Sequence, residues 1–151
     1  MQWSFVDFNE KVIEFPKASR RRKQERSNKK NHIHLVPMSD QLCALLKEQY
    51  EISQNETYVF SAPFKNDEML ARTTLNRALV FIGLPEVTTH DFRATASTLL
   101  NEKGYKPDWI NKQLAHVEEN KTRATYNHAK WLDDRRQMLQ DWADMVDEWK
   151  E

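Results

Sequence analysis

The stretch "THDFRATASTLLNEKG", Thr89 to Gly104, decides how this chain is read. It carries the punctuation of a helix, with Thr88 or Thr89 as the cap and Gly104 as the stop. Its first turn nevertheless holds His90 and Arg93, three residues apart and therefore on one face. A helix start already carries unpaired N–H donors and partial positive charge, so acidic residues are favoured there. A cationic pair in that place is slightly unfavourable unless something negative is held between its members. Arg offers a flat fork of donors that is never deprotonated, and His can donate or take a proton near neutral pH. Together with the free N–H groups of the first turn, the pair is suited to a phosphate. A purely structural reading stands beside this one. Arg93 could pair with Asp91, Glu86 or Glu102, and His90 could be a satisfied, half-buried group.

Working outward, the segments on either side are helical too. "RTTLNRALVFIGLP" offers Thr73 or Thr74 as cap, Leu75, Ala78, Leu79 and Ile82 as an apolar face, and Gly83 with Pro85 as the stop. "KPDWINKQLAH" has Pro107 at a first-turn position and ends on His116. "NKTRATYNHAK" reads as a short helix holding Tyr126. "WLDDRRQMLQDWADMVDEWKE" reads as a long amphipathic one, with Leu132, Leu139, Trp142, Met145, Val146 and Trp149 as its stripe. Upstream, "SDQLCALLKEQYE" has a Ser cap and apolar Leu42, Leu45, Leu46 and Tyr50. "YVFSAP" reads as a buried extended piece.

The first forty residues change period. "WSFVDF", "KVIEF" and "HIHLVP" alternate apolar and polar positions, with "NE" as the turn between the first two. The expected fold class is therefore α+β, mainly α: a small three-stranded antiparallel sheet followed by a helical bundle. The divisions expected are 1–38 for the sheet with its basic loop, 39–128 for the helical core and 129–151 for a C-terminal helix.

Composition bounds the function. The chain has 151 residues, 30% charged and 39% apolar, and a mean hydropathy of −0.85. That is polar for a globule, but five Trp and seven Phe argue against disorder. The lone Cys43 excludes an internal disulfide framework and fits a reducing compartment. No apolar run approaches the roughly 18 residues of a membrane span, and "MQWSFVDFNEK" lacks the marks of a signal peptide. A cytoplasmic protein is expected.

Net charge is zero, which by itself argues against a nucleic-acid partner. The mean hides an asymmetry. "KASRRRKQERSNKK", Lys17 to Lys30, holds eight basic residues and one acidic; Asp133 to Glu151 holds seven acidic and three basic. Such asymmetry points to polyanion contact at one end, although a charge run is also compatible with a solvated loop. His32 and His34 stand two apart on a strand without an accompanying Cys or carboxylate cluster, so no metal site is expected. Taken singly, His116 reads as a C-capping histidine and Tyr126 as a half-buried tyrosine with Arg123 and Lys121 close by.

In order and spacing, these pieces resemble the catalytic domain of the tyrosine recombinases, specifically phage and genomic-island integrases. The resemblance is strongest from Thr88 to Asp144, carried by "FRATASTLLNE", "QLAH" and "ATYNHA", and weaker across residues 1–37. It implies that His90 and Arg93 are the family's His-x-x-Arg box, that His116 closes its LxH helix, and that Tyr126 is the nucleophile. Lys29, with Lys30 as the alternative, matches the family's hairpin lysine. The implied activity is site-specific recombination of double-stranded DNA through a 3′-phosphotyrosyl link, without cofactor. Lys17, Arg20, Arg21, Arg22, Lys23, Arg26 and Lys30 would contact phosphates, and the C-terminal helix would mediate self-association on DNA. One feature departs from the pattern. The family has a further arginine upstream of the strand that "WSFVDF" resembles, and no arginine precedes Arg20 here. The expectation is a fragment of a longer domain, catalytically weak alone, or else a non-catalytic DNA-binding remnant. An unrelated helical module would instead scatter the four polar residues.

Overall fold

The computed structural model describes residues 1–16, 33–53, 56–62, 68–71, 73–115 and 131–150. The chain opens with a 3-10 turn at Trp3–Phe5, followed by strands β1 (Val6–Asp7), β2 (Val12–Phe15) and β3 (His34–Pro37). Both pairings are antiparallel, in the order β1-β2-β3, with Ile13 opposite Val6 on one side and Val36 on the other. Five helices follow among the described residues: α1 (Asp40–Ser53), α2 (Thr74–Phe81), α3 (Thr89–Glu102), α4 (Pro107–Gln113) and α5 (Leu132–Glu148). This is the expected mainly α architecture with a small three-stranded sheet. No described helix is long and apolar enough to cross a membrane.

The first strand is shorter than its alternation predicts. Phe5 and Val6, adjacent in sequence, both pack on the sheet-side core, which a 3-10 turn leading into the strand permits and a flat strand would not. Asp7 then ends the strand, because its Oδ1 accepts from the main-chain N–H of Asn9 (2.9 Å) and Glu10 (3.0 Å). Lys11 completes the turn at φ 49°.

Helix ends follow the local chemistry closely. The Ser39 hydroxyl accepts from the Leu42 N–H at 3.2 Å, capping α1. At the end of α3, Gly104 takes φ +85° and the Tyr105 N–H reaches back to the Leu100 carbonyl at 3.1 Å, the bond that closes a Schellman turn. Pro107 opens α4 where its missing N–H costs nothing.

Two apolar clusters form among the described residues. One gathers Ile13, Met38, Cys43, Leu46 and Val59 under the sheet, with Trp3, Phe5 and Phe8 packed on it. The other gathers Leu100, Ile110 and Met138, with Tyr105, Trp109, Leu139, Trp142 and Met145. Helix α5 joins them, touching β3, α1, α3 and α4. The acidic C-terminal stripe thus folds back on its own chain. Gln140 Oε1 accepts from the Asp40 N–H at 2.9 Å, and Gln41 Nε2 donates to Asp144 at 2.6 Å.

Helix α2 departs from expectation. None of its residues is buried; Leu75, Val80, Phe81 and the following Ile82 are all more than half exposed. Of "YVFSAP", Val59 is fully buried, as expected, whereas Phe60 is half exposed.

Candidate functional site

The puzzle of the α3 N-terminus resolves locally. The carboxylate that belongs there is Asp91, which accepts from the Thr88 N–H and the Thr88 hydroxyl, each at 2.8 Å. These bonds, with the neighbouring His90, hold the Asp91 carboxyl below its usual range. Asp91 is thereby used by the cap. His90 stands exposed on the first turn, and Arg93 lies half-buried one turn further along the same face.

Arg93 does not pair with Asp91, Glu86 or Glu102. Its Nη2 donates to the Leu114 carbonyl, in the turn that ends α4. That turn is sharply formed. Leu114 N–H bonds the Ile110 carbonyl at 2.9 Å, and Ala115 takes the left-handed region at φ 51°, unusual for a residue with a Cβ. His116 follows directly. The arginine predicted to hold an anion is therefore bound to the turn that leads to the histidine predicted to hold the same anion.

A second arginine, which no motif singled out, reaches the same turn from behind. Arg135, on α5, is 1% exposed. Its Nη2 donates to the Leu35 carbonyl at 2.8 Å and its Nη1 to Gln113 Oε1 at 3.2 Å. Burial pushes its guanidinium pKa down to about 10. His34, beside Leu35, is pushed below its ordinary value by burial and then by the Arg135 charge, with the Gln113 main chain pulling the other way and Lys112 adding a smaller downward effect. The signal for Arg135 was present in the sequence: it lies three residues ahead of Met138 and seven ahead of Trp142, in line with the apolar stripe.

Of the tyrosines, Tyr105 is disqualified as a ready nucleophile. Burial and its hydrogen bond to Asp141 push the phenol up to about 12, further from the phenolate. Tyr50 packs edge-on against Trp3 in the sheet-side cluster.

Lys29 and Lys30, His116, Tyr126 and the basic set Lys17, Arg20, Arg21, Arg22, Lys23 and Arg26 lie outside the described residues. Three described segments next to them in the chain are linked to one another. β3 follows the basic loop, α4 leads to His116, and α5 follows the tyrosine segment. Arg135 bonds the first two from the third, and Arg93 bonds the end of α4. Among the described residues no group of three or more His, Cys, Asp or Glu side chains is placed to hold a metal ion.

The family description "Phage integrase family" matches residues 1–131. The chain is 37% identical over 146 residues to prophage integrase IntA of Escherichia coli K12, covering 96% of this chain and 33% of that protein. It is 34% identical over 150 residues to an integrase of Shigella phage Sf6, covering 98% of the chain and 37% of the relative. Against an integrase of Enterobacteria phage P4 it is 34% identical over 155 residues, covering 97% and 35%. The chain thus spans about a third of the length of these relatives. No solved structure gives a significant match.

Proposed function

The chain belongs to the phage integrase family, and on that footing we propose that it carries the cleavage site of a site-specific DNA recombinase. Tyr126 Oη attacks the scissile phosphorus. A P–O bond to the tyrosine forms as the P–O5′ bond breaks, leaving a 3′-phosphotyrosyl link. Lys29 protonates the departing 5′-oxygen, and His90 takes the phenolic proton. Arg93 and His116 donate to the non-bridging oxygens, where charge builds in the transition state. A 5′-hydroxyl of a second strand reverses the step. The phosphotyrosyl link conserves the bond energy, so the scheme calls for no nucleotide cofactor. Double-stranded DNA is the partner, held chiefly by phosphate contacts from Lys17, Arg20, Arg21, Arg22, Lys23, Arg26 and Lys30. The site of action is the cytoplasm. Self-association on DNA would use the exposed end of α5 around Trp149, because the middle of that helix is engaged by its own chain.

The observation that carries this reading is the bond from Arg93 to the Leu114 carbonyl, two residues ahead of His116. It supports one anion cradle built from both. The test is a nicked double-stranded DNA that traps the tyrosine adduct. A covalent product that Tyr126→Phe abolishes supports the reading; no product at any concentration counts against cleavage by this chain. A DNA-binding domain that does not cleave would instead hold the same DNA and form no adduct.

A further inference from the structure

We propose that Arg135 is a positioning residue for this site, holding the strand that leaves the basic loop and the turn that precedes His116 in one fixed register. The proposal rests on the functional reading above for the word "site", and on geometry for the rest.

A fully buried guanidinium is an expensive way to anchor a helix. Among the described residues no carboxylate pairs with Arg135, and its Nε has no partner. Replacing a buried charge by a hydrophobe of similar volume is commonly neutral or stabilising. An apolar side chain three residues ahead of Met138 would fill the same space. It could not hydrogen-bond two separate segments at once.

The two segments are specific. β3 is the edge of the described sheet. The Met38 N–H bonds the Lys11 carbonyl at 2.9 Å, so with alternating antiparallel pairs the main-chain groups of Leu35 point off that edge. Arg135 takes the Leu35 carbonyl there. Its other arm takes Gln113, whose neighbour Leu114 receives Arg93. The linkage runs Leu35, Arg135, Gln113, Leu114, Arg93. It joins the strand after the basic loop to the start of α3, through the helix that follows Tyr126.

The experiment compares Arg135→Met, Arg135→Lys and Gln113→Met with the parent chain. Without DNA, the amide signals of Leu114 and Ala115 and the side-chain Nε–H of Arg93 are followed by NMR, with Cys43 and Leu46 amides as the remote control. Arg135→Met should shift or broaden the turn and Arg93 signals while the control amides stay in place, and Arg135→Lys should restore part of the parent pattern. On nicked DNA, the adduct rate should fall by about tenfold to a hundredfold with DNA affinity unchanged. If Arg135→Met does not fold, Gln113→Met cuts the link alone and should move the same Arg93 signal. Unchanged turn and Arg93 signals in a folded variant overturn the proposal and leave Arg135 a packing residue. If the parent chain forms no adduct, the cleavage reading fails separately, and the DNA-free signals still decide this one.

Discussion

The guanidinium of Arg93, at the start of α3, donates to the main-chain carbonyl of Leu114, at the end of α4. A carbonyl oxygen and a phosphate oxygen draw on the same donors, and the guanidinium has five. One contact fixes its direction while others remain for a ligand. Arg93→Ala should therefore do two things. Unfolding in urea should show a loss of about 1–2 kcal/mol, the order expected for a charged hydrogen bond at a half-buried site. Adduct formation on nicked DNA should fall at least about a hundredfold, more than that stability change explains. A fall no larger than the loss of folded protein would reduce Arg93 to a structural tie.

The His34 imidazole, pushed below its ordinary value by burial and by Arg135, makes stability depend on pH. The unfolded chain takes up the proton at about pH 6.5, and the folded chain only at lower pH. In that window the unfolded state binds more protons, so stability is fully present above it and is lost as pH falls through the folded value. Urea midpoints recorded from pH 7.5 down to 5 should decline, and His34→Gln should flatten the decline. In Arg135→Met, NMR titration of the His34 ring should give a higher value than in the parent. An unmoved titration would show that the two groups are not coupled.

Tyr105 and Tyr126 should behave as opposites. Tyr105→Phe removes the bond to Asp141 within the second cluster and should cost about 1–3 kcal/mol. It should leave the adduct rate per folded molecule unchanged. Tyr126→Phe should abolish the adduct. Paired thermal melts and adduct gels read both, and loss of adduct in Tyr105→Phe would reassign the nucleophile.

Gly104 closes α3 at φ +85°, and a Cβ built there meets nothing within 4 Å. Gly104→Ala should therefore cost only the left-handed backbone penalty, about 1–2 kcal/mol, without a packing component. Chemical denaturation measures it. Gly104→Asn, a residue that tolerates this region, should recover part of the loss.

Phe81 is 92% exposed at the end of α2. Phe81→Ser should leave the unfolding free energy within about 0.5 kcal/mol and raise solubility. A larger destabilisation, measured by urea titration, would show that the ring is covered in solution.

Much of the architecture is legible along the chain because its signals are local. Alternation at Val12–Phe15 and His34–Pro37, the Ser39 and Thr88 caps and the stops at Gly83 and Gly104 each act within about one turn of backbone. His90 and Arg93 are legible for the same reason: three residues apart on a helix is a shared face whatever lies opposite. Alternation misled at Trp3–Phe5, because the neighbours Phe5 and Val6 both reach one core, which a backbone turn allows and a flat strand does not.

By itself, then, the sequence determined where helices and strands begin and end and which side chains share a face. The tertiary structure alone decided what each face meets. It left the α2 stripe uncovered, laid the acidic C-terminal helix across both clusters, and buried Arg135 against the Leu35 carbonyl and the Gln113 side-chain oxygen. The physical reason is range. Backbone dihedrals and caps are set by residues a few positions away, whereas Arg135 meets Leu35 across 100 positions, and only the packed chain brings that carbonyl within 2.8 Å.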